Sequence, residues 1–127
     1  MHDRPSTTQL VAAVRDFLER TALPELSGHS AFLARVAGNA LAIVERELAL
    51  GAEHDAAELE RLRALLGGDG SLEAQNRALC REIRAGRITL DTPGLRDHLR
   101  ATTLAKLAVD QPGYSAYRRA LERETER

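Results

Sequence analysis

The chain has 127 residues, of which 43% are hydrophobic and 29% are charged, and its formal net charge is −1. This length fits one domain, and the balanced charge argues against a dedicated nucleic-acid binder, which usually carries a basic excess. No stretch approaches the roughly 20 apolar residues of a membrane span. A single cysteine, Cys80, excludes an intramolecular disulfide. Because the polar N-terminus also lacks the apolar segment of a signal peptide, we expect a cytoplasmic protein.

Composition and local signals predict an all-α, single-domain helical bundle over residues 1–127, with five main helices and a short sixth helix. Ala and Leu dominate, while aromatic residues make up only 3%, which favours helices over strands. The first helix should cover about residues 7–22, since Ser6 and Gln9 form a capping-box pattern. The second should end near Leu50, with Gly51 as its C-terminal glycine, and the third should cover about 54–66.

The second half of the chain continues this pattern. Ser71 is the predicted cap of a fourth helix that ends at Gly86, and Thr92 is the predicted cap of a fifth helix that runs to about Val109. A short sixth helix carries Tyr114 and Tyr117. Residues 1–5 and about 123–127 are expected to fray.

Helical spacing places several polar residues beside apolar rows. In the second helix, Phe32, Val36 and Ile43 share a face that we expect to point inward. Arg35, Asn39 and Arg46 follow one edge of this face and are candidates for binding a small ligand or an acidic group. A second set falls on predicted inward faces, and we expect it to form a buried polar network, since buried charges require partners. This set consists of Glu47, Asn76, Lys106 and Asp110.

The remaining polar patterns favour structural roles over catalysis. Cys80 and His98 could form a nucleophile–base pair, but Cys80 lies near an apolar face, and a buried, inert thiol is the preferred interpretation. The four histidines lack metal-ligand spacing, so no metal and no cofactor are expected. The Gly-rich segment 67–70 has neither a preceding strand nor a following Gly-Lys-Ser/Thr sequence, which indicates a loop and not a phosphate-binding site.

Several segments together resemble a bacterial family of small helical proteins that is known only as a domain of unknown function. They are Asp3–Pro5, Ala37–Leu48, Asn76–Cys80, Ile83–Gly86, His98–Arg100 and Asp110–Pro112. Members of that family occur beside, or fused to, kinases of the aminoglycoside-phosphotransferase type, and often near acyl-CoA dehydrogenases. The resemblance implies an accessory module for such a kinase or for an acyl-CoA-related enzyme, and it supplies no catalytic residues.

Four functional hypotheses follow. The first is a non-enzymatic accessory protein that binds a protein partner, because no nucleophile–base or metal constellation is present. The second is a small-molecule or acyl-ligand binder that uses the edge formed by Arg35, Asn39 and Arg46. An enzyme that uses Glu47 and Lys106, and a helix-turn-helix DNA binder, are less favoured. A homodimer is also possible, since the sequence leaves the oligomeric state open.

Overall fold

The computed structural model describes residues 4–126, and this part of the chain is built from α-helices without a β-strand. The predicted all-α class is therefore confirmed. The helices are α1 (Thr7–Asp16), α2 (Gly28–Leu66), α3 (Leu72–Arg84), α4 (Leu95–Asp110) and α5 (Ser115–Thr125). A π-helical segment (Phe17–Ala22) and a 3-10 turn (Leu23–Glu25) connect α1 to α2. The predicted fraying falls partly on residues 1–3 and 127, which lie outside the described residues; at the C-terminal end, α5 stays helical to Thr125.

Side-chain caps begin two helices where the sequence predicts them. The Ser6 hydroxyl accepts a hydrogen bond from the Gln9 N–H (3.3 Å), and the Gln9 side chain accepts one from the Ser6 N–H (2.8 Å). The Ser71 hydroxyl accepts from the Ala74 N–H in the same way. The cap predicted at Thr92 is wrong, because α4 begins only at Leu95 and the Thr92 hydroxyl accepts from the Thr89 N–H instead.

One continuous helix, α2, replaces the predicted second and third helices. The expected break at Gly51 does not occur, because a glycine inside a helix costs only about 1 kcal/mol and no proline lies nearby to remove a backbone hydrogen bond. Among residues 4–126, none of the helices is both long enough and apolar enough to cross a bilayer.

Replacement of Gly51 by alanine is expected to raise the free energy of unfolding by about 0.5–1 kcal/mol, since alanine is the better helix former. A Cβ at this position would lie 2.5 Å from Oε1 of Glu47, but the Glu47 side chain is exposed and is free to swing away. Urea unfolding followed by circular dichroism measures the change. If Gly51→Ala destabilises the protein, the double variant Glu47→Ala/Gly51→Ala tests whether the Glu47 contact is responsible; loss of stability in both variants would refute the expectation.

The chain divides into two compact units, residues 1–51 and 52–127. In the first unit, α1 and the first part of α2 form an antiparallel helical hairpin. The Arg15 guanidinium forms an ion pair with Glu45, and the Glu19 side chain lies against Gly38. The buried positions of the contact are small residues such as Ala31 and Ala34, because small side chains allow two helices to approach closely.

The prediction that one apolar face of this part of α2 points inward is wrong. Phe32, Val36 and Ile43 are exposed, and the Phe32 ring is stacked only on His29, with the ring centroids 6.3 Å apart. The helix carries apolar residues on more than one side, and the buried side is the small-residue side that contains Ala31 and Ala34. Apolar periodicity alone does not distinguish between such sides.

The second unit contains the hydrophobic core. Leu62 of α2, Leu79 of α3, Leu95 of α4 and Ile88 of the α3–α4 connection form one buried cluster. Three further leucines pack against it, namely Leu65, Leu66 and Leu72. Helical spacing in the sequence predicts that Leu62, Leu79 and Ile83 point inward. The structure confirms this for Leu62 and Leu79, whereas Ile83 is exposed, as is Cys80, whose thiol the sequence predicts to be buried.

Two connections hold this core in place. Between α2 and α3, the buried Gln75 side chain donates a hydrogen bond to the Gly68 carbonyl (2.9 Å). This bond fixes the predicted Gly-rich loop against α3. After α3, the Gly86 N–H donates to the Ile83 carbonyl and the Arg87 N–H donates to the Glu82 carbonyl, both at 3.0 Å. These two bonds are those of a Schellman C-terminal motif, which reverses the chain and directs Ile88 into the core.

Candidate functional site

The predicted ligand-binding edge is present as a row along the first part of α2. Arg35 and Asn39 are exposed, and Arg46 is half-buried. The three positions lie between the row that packs against α1 and the exposed row of Phe32 and Val36. A ligand at this edge remains a prediction.

The predicted buried polar network does not form. Glu47, Lys106 and Asp110 are exposed, so none of them requires a buried partner. On α4 the inward face runs through Leu95, His98 and Val109. This face is rotated by roughly 60° from the predicted row that contains Lys106, since each residue advances the helix by about 100°.

A different polar cluster occupies the interior of the second unit. The half-buried Asn76 of α3 belongs to it and donates from its Nδ2 to Oε1 of Glu58 on α2 (2.7 Å). Arg61, one turn after Glu58, donates weakly from Nη2 to Oγ1 of Thr102 on α4 (3.4 Å). The His98 side chain on α4 is only 2% exposed. Of the predicted network residues, therefore, only Asn76 makes a partly buried polar contact.

The surroundings of His98 lower the pKa of its imidazole and so favour the neutral form. Burial lowers the pKa of the His98 imidazole, the Arg61 guanidinium lowers this pKa further, and the Glu58 carboxylate opposes the two effects. The Nδ1 atom of His98 is buried and makes no hydrogen bond to any of the described residues. His98 and Cys80 do not form a nucleophile–base pair in this structure, because the imidazole is buried while the thiol is exposed.

The cluster borders a groove of about 510 Å³ between the last part of α2, α4 and α5, which we call the Arg61 groove. Its apolar lining consists mainly of small residues, and its rim carries charges of both signs. The lining residues are His54, Ala57, Arg61, Asp97, Arg100, Ala101, Leu104, Ala105, Ala108, Tyr117, Leu121 and Glu124. The groove lies wholly within the second unit.

The two arginines of the groove differ in their partners. Arg100 forms an ion pair with Glu124 of α5 (3.2 Å), which links α4 to α5. Arg61 has no carboxylate within 4.0 Å among residues 4–126, and its Nε is buried without a hydrogen-bond partner. A buried, unsatisfied donor costs about 1–3 kcal/mol, and more when it is charged. Since Arg61 is itself only partly buried and carries no ion pair among residues 4–126, the groove favours an incoming acceptor, such as a carboxylate, at its guanidinium.

Sequence reasoning missed Arg61, Glu58 and Thr102 as members of a site. One signal was available, since Leu95, His98, Thr102 and Val109 follow helical spacing along one side of α4. The charges of Glu58 and Arg61 carried no comparable signal, because a charged residue on a helix usually belongs to a solvated face.

The geometry can be compared with known proteins. Searches of the curated proteins and of the solved structures gave no match. The family model described as "Domain of unknown function (DUF6285)" matches residues 24–114. The match includes all of α2, α3 and α4, and thus Glu58, Arg61, Asn76 and His98. Because this match extends over more than half of the chain, the protein belongs to the DUF6285 family.

Proposed function

We propose that the protein is a non-enzymatic accessory module that acts in the cytoplasm and binds a phosphotransferase-like kinase or an acyl-CoA-related enzyme through the Arg61 groove. The observation that carries the proposal is the half-buried Arg61 guanidinium, which lines the groove without a carboxylate partner among residues 4–126. The type of partner comes from the family resemblance. An exposed thiol at Cys80 suits a reducing compartment.

The shape and lining of the groove support binding of a protein segment. Ala57, Ala101 and Ala105 leave room on the floor of the groove, while Leu104 and Leu121 supply apolar contact area. An amphipathic helix in a groove uses this combination of an apolar floor and a charged rim. We expect an acidic side chain of the partner to reach Arg61, because a charge-assisted hydrogen bond is about twice as strong as a neutral one.

Replacement of Arg61 by methionine is expected to weaken partner binding about tenfold or more, since a hydrogen bond to a charged group is worth about 1.5–3 kcal/mol. The experiment co-expresses the chain with a kinase of the aminoglycoside-phosphotransferase type from the same organism, purifies the complex and measures the Kd by calorimetry. Arg63→Met is the matched control, because Arg63 lies on the same helix, is exposed and is ion-paired with Glu60 (3.0 Å). Equal binding by the two variants would refute a role for the groove, and absence of any complex with the kinase would refute the choice of partner.

A second candidate function is binding of a small amphipathic molecule, such as an acyl chain with a carboxylate. The volume of the groove, about 510 Å³, favours this alternative, because small-molecule sites usually measure about 300–1,000 Å³. A ligand of this kind would place its carboxylate at Arg61 and its chain over Ala101 and Leu104. Fatty acids and acyl-CoA are the probes, and a rise in Tm that Arg61→Met abolishes would favour this function over partner binding.

A further inference from the structure

Over its described positions, 4–51, the first unit does not bury a large apolar side chain. Its buried residues among positions 4–51 are Ala31, Ala34, Gly38 and Gly51. A helix is stabilised mainly by burying an apolar face against another element, and a stable domain requires at least two packed layers around a core. A single pair of helices with a small-residue contact lacks such a core. The hairpin therefore needs a further layer.

Two exposed apolar rows follow the hairpin. We define the hairpin face by three residues from each helix, namely Leu10, Val14 and Phe17 of α1 and its π-helical continuation, and Leu33, Val44 and Leu48 of α2. Between 43% and 56% of the surface of each of these six residues is exposed. Successive members are separated by about one or three helical turns, so each row stays on one side of its helix.

Both rows lie on the same side of the hairpin. In the ion pair that links the helices, each partner is directly preceded by a face residue, since Val14 precedes Arg15 and Val44 precedes Glu45. One residue corresponds to a rotation of about 100° around a helix. Each face residue that precedes a contact residue is thus rotated by about 100° from the contact between the helices. Because the two helices run antiparallel, these rotations bring both rows to the same side of the hairpin. The six residues thus line one side of the hairpin.

We propose that the hairpin face packs against the hairpin face of a second copy of this chain, so that residues 7–51 of the two copies form a four-helix bundle. Six half-exposed side chains of this size present roughly 600 Å² of apolar surface, which reaches the upper limit of about 300–600 Å² for the largest patch on a monomer. A standard interface buries about 800 Å² per partner, of which roughly two-thirds or less is apolar. The face therefore supplies the area that a stable dimer needs.

The charge distribution favours a second copy over a charged partner. The six residues of the hairpin face are uncharged, the Arg15 and Glu45 charges on its inner side are paired within the hairpin, and the exposed Glu47 lies at its outer edge. The net charge of −1 adds little repulsion between two copies. Two-fold symmetry places the same surface on both sides of the interface, which suits an apolar face that is complementary to itself. Two antiparallel hairpins that pack in this way give the four-helix bundle architecture.

The test is the mass of the purified full chain in solution, measured by light scattering and by sedimentation over a range of concentrations. We expect twice the chain mass of 13.9 kDa. Val44→Glu should raise the dimer dissociation constant by at least about a hundredfold, because it places a charge in a dry interface. The matched control is Val36→Glu, since Val36 lies on the same helix and is similarly exposed (48% against 43%) but lies outside the hairpin face. This control should remain a dimer.

A milder variant, Val44→Thr, covers the case in which Val44→Glu fails to fold. It preserves the side-chain shape and should shift the equilibrium measurably toward the monomer. Wild-type protein should also show a Tm that rises with protein concentration, because association stabilises the folded chain. A monomeric wild type would overturn the proposal, as would an equal effect of Glu at positions 36 and 44. Since the measurement uses the chain alone and the groove is unchanged, failure here is distinguishable from failure of the Arg61 proposal.

Discussion

Leu62→Ala is expected to lower the free energy of unfolding by about 2–5 kcal/mol, the largest effect of any single change considered for this chain. The Leu62 side chain is fully buried (0% exposed) at the centre of the cluster with Leu79, Ile88 and Leu95. The substitution removes apolar surface from this cluster and leaves a cavity that the surrounding helices fill only in part. Urea unfolding at a fixed protein concentration, followed by circular dichroism, measures the shift in midpoint.

Leu90→Ala is the control for this experiment. Leu90 is the same residue type in the same unit, but 59% of its surface is exposed. We expect a change within about 0.5 kcal/mol, as for most surface substitutions. Similar losses in the two variants would mean that Leu62 is not the centre of the core.

The second large effect is a loss of stability as the pH falls from 7 toward 5. In the unfolded chain His98 takes up a proton as the pH passes its ordinary value of about 6.5. In the folded protein burial and the Arg61 guanidinium lower the pKa of His98, so the folded state binds this proton only at lower pH. Between the two pKa values the unfolded state binds more protons than the folded state. The free energy of unfolding therefore decreases as the pH decreases, by at most about 1.4 kcal/mol per pH unit for one proton.

His98→Leu removes this titration. The variant should lose the part of the pH dependence that His98 contributes, while the carboxylates of the chain contribute to both proteins alike. Urea unfolding at pH 7, 6 and 5 compares the two proteins, and an NMR titration of the His98 imidazole reports its pKa directly. A wild-type stability that is flat over this range, or a variant with the same slope as the wild type, would contradict the argument.

The sequence predicted well those features that depend on neighbouring residues. The caps at Ser6 and Ser71, the helix end at Gly86 and the inward position of Leu62 all rest on interactions within a few residues or on a single helical row. The break predicted at Gly51 is wrong for an energetic reason. A glycine weakens a helix by about 1 kcal/mol, and the favourable residues on both sides outweigh this cost.

The candidate site was less predictable, because its residues come together from separate helices. Arg61 and Thr102 are far apart in the chain and meet only after α2 and α4 pack. Glu47 and Lys106 had the helical positions of buried residues, yet both are exposed, because the packing partners cover other sides of their helices. A helix with apolar residues on several sides does not specify which side will be covered.

The sequence by itself determined that this protein is helical, where most of its helices begin and end, and that Leu62 points inward. These properties follow from backbone propensity, capping and helical spacing, all of which act locally. Only the tertiary structure decided that Ala31 and Ala34, and not Phe32 and Val36, are buried. It also decided that His98 is buried while Arg61 lines a groove, because burial depends on which distant surface reaches a given side of a helix.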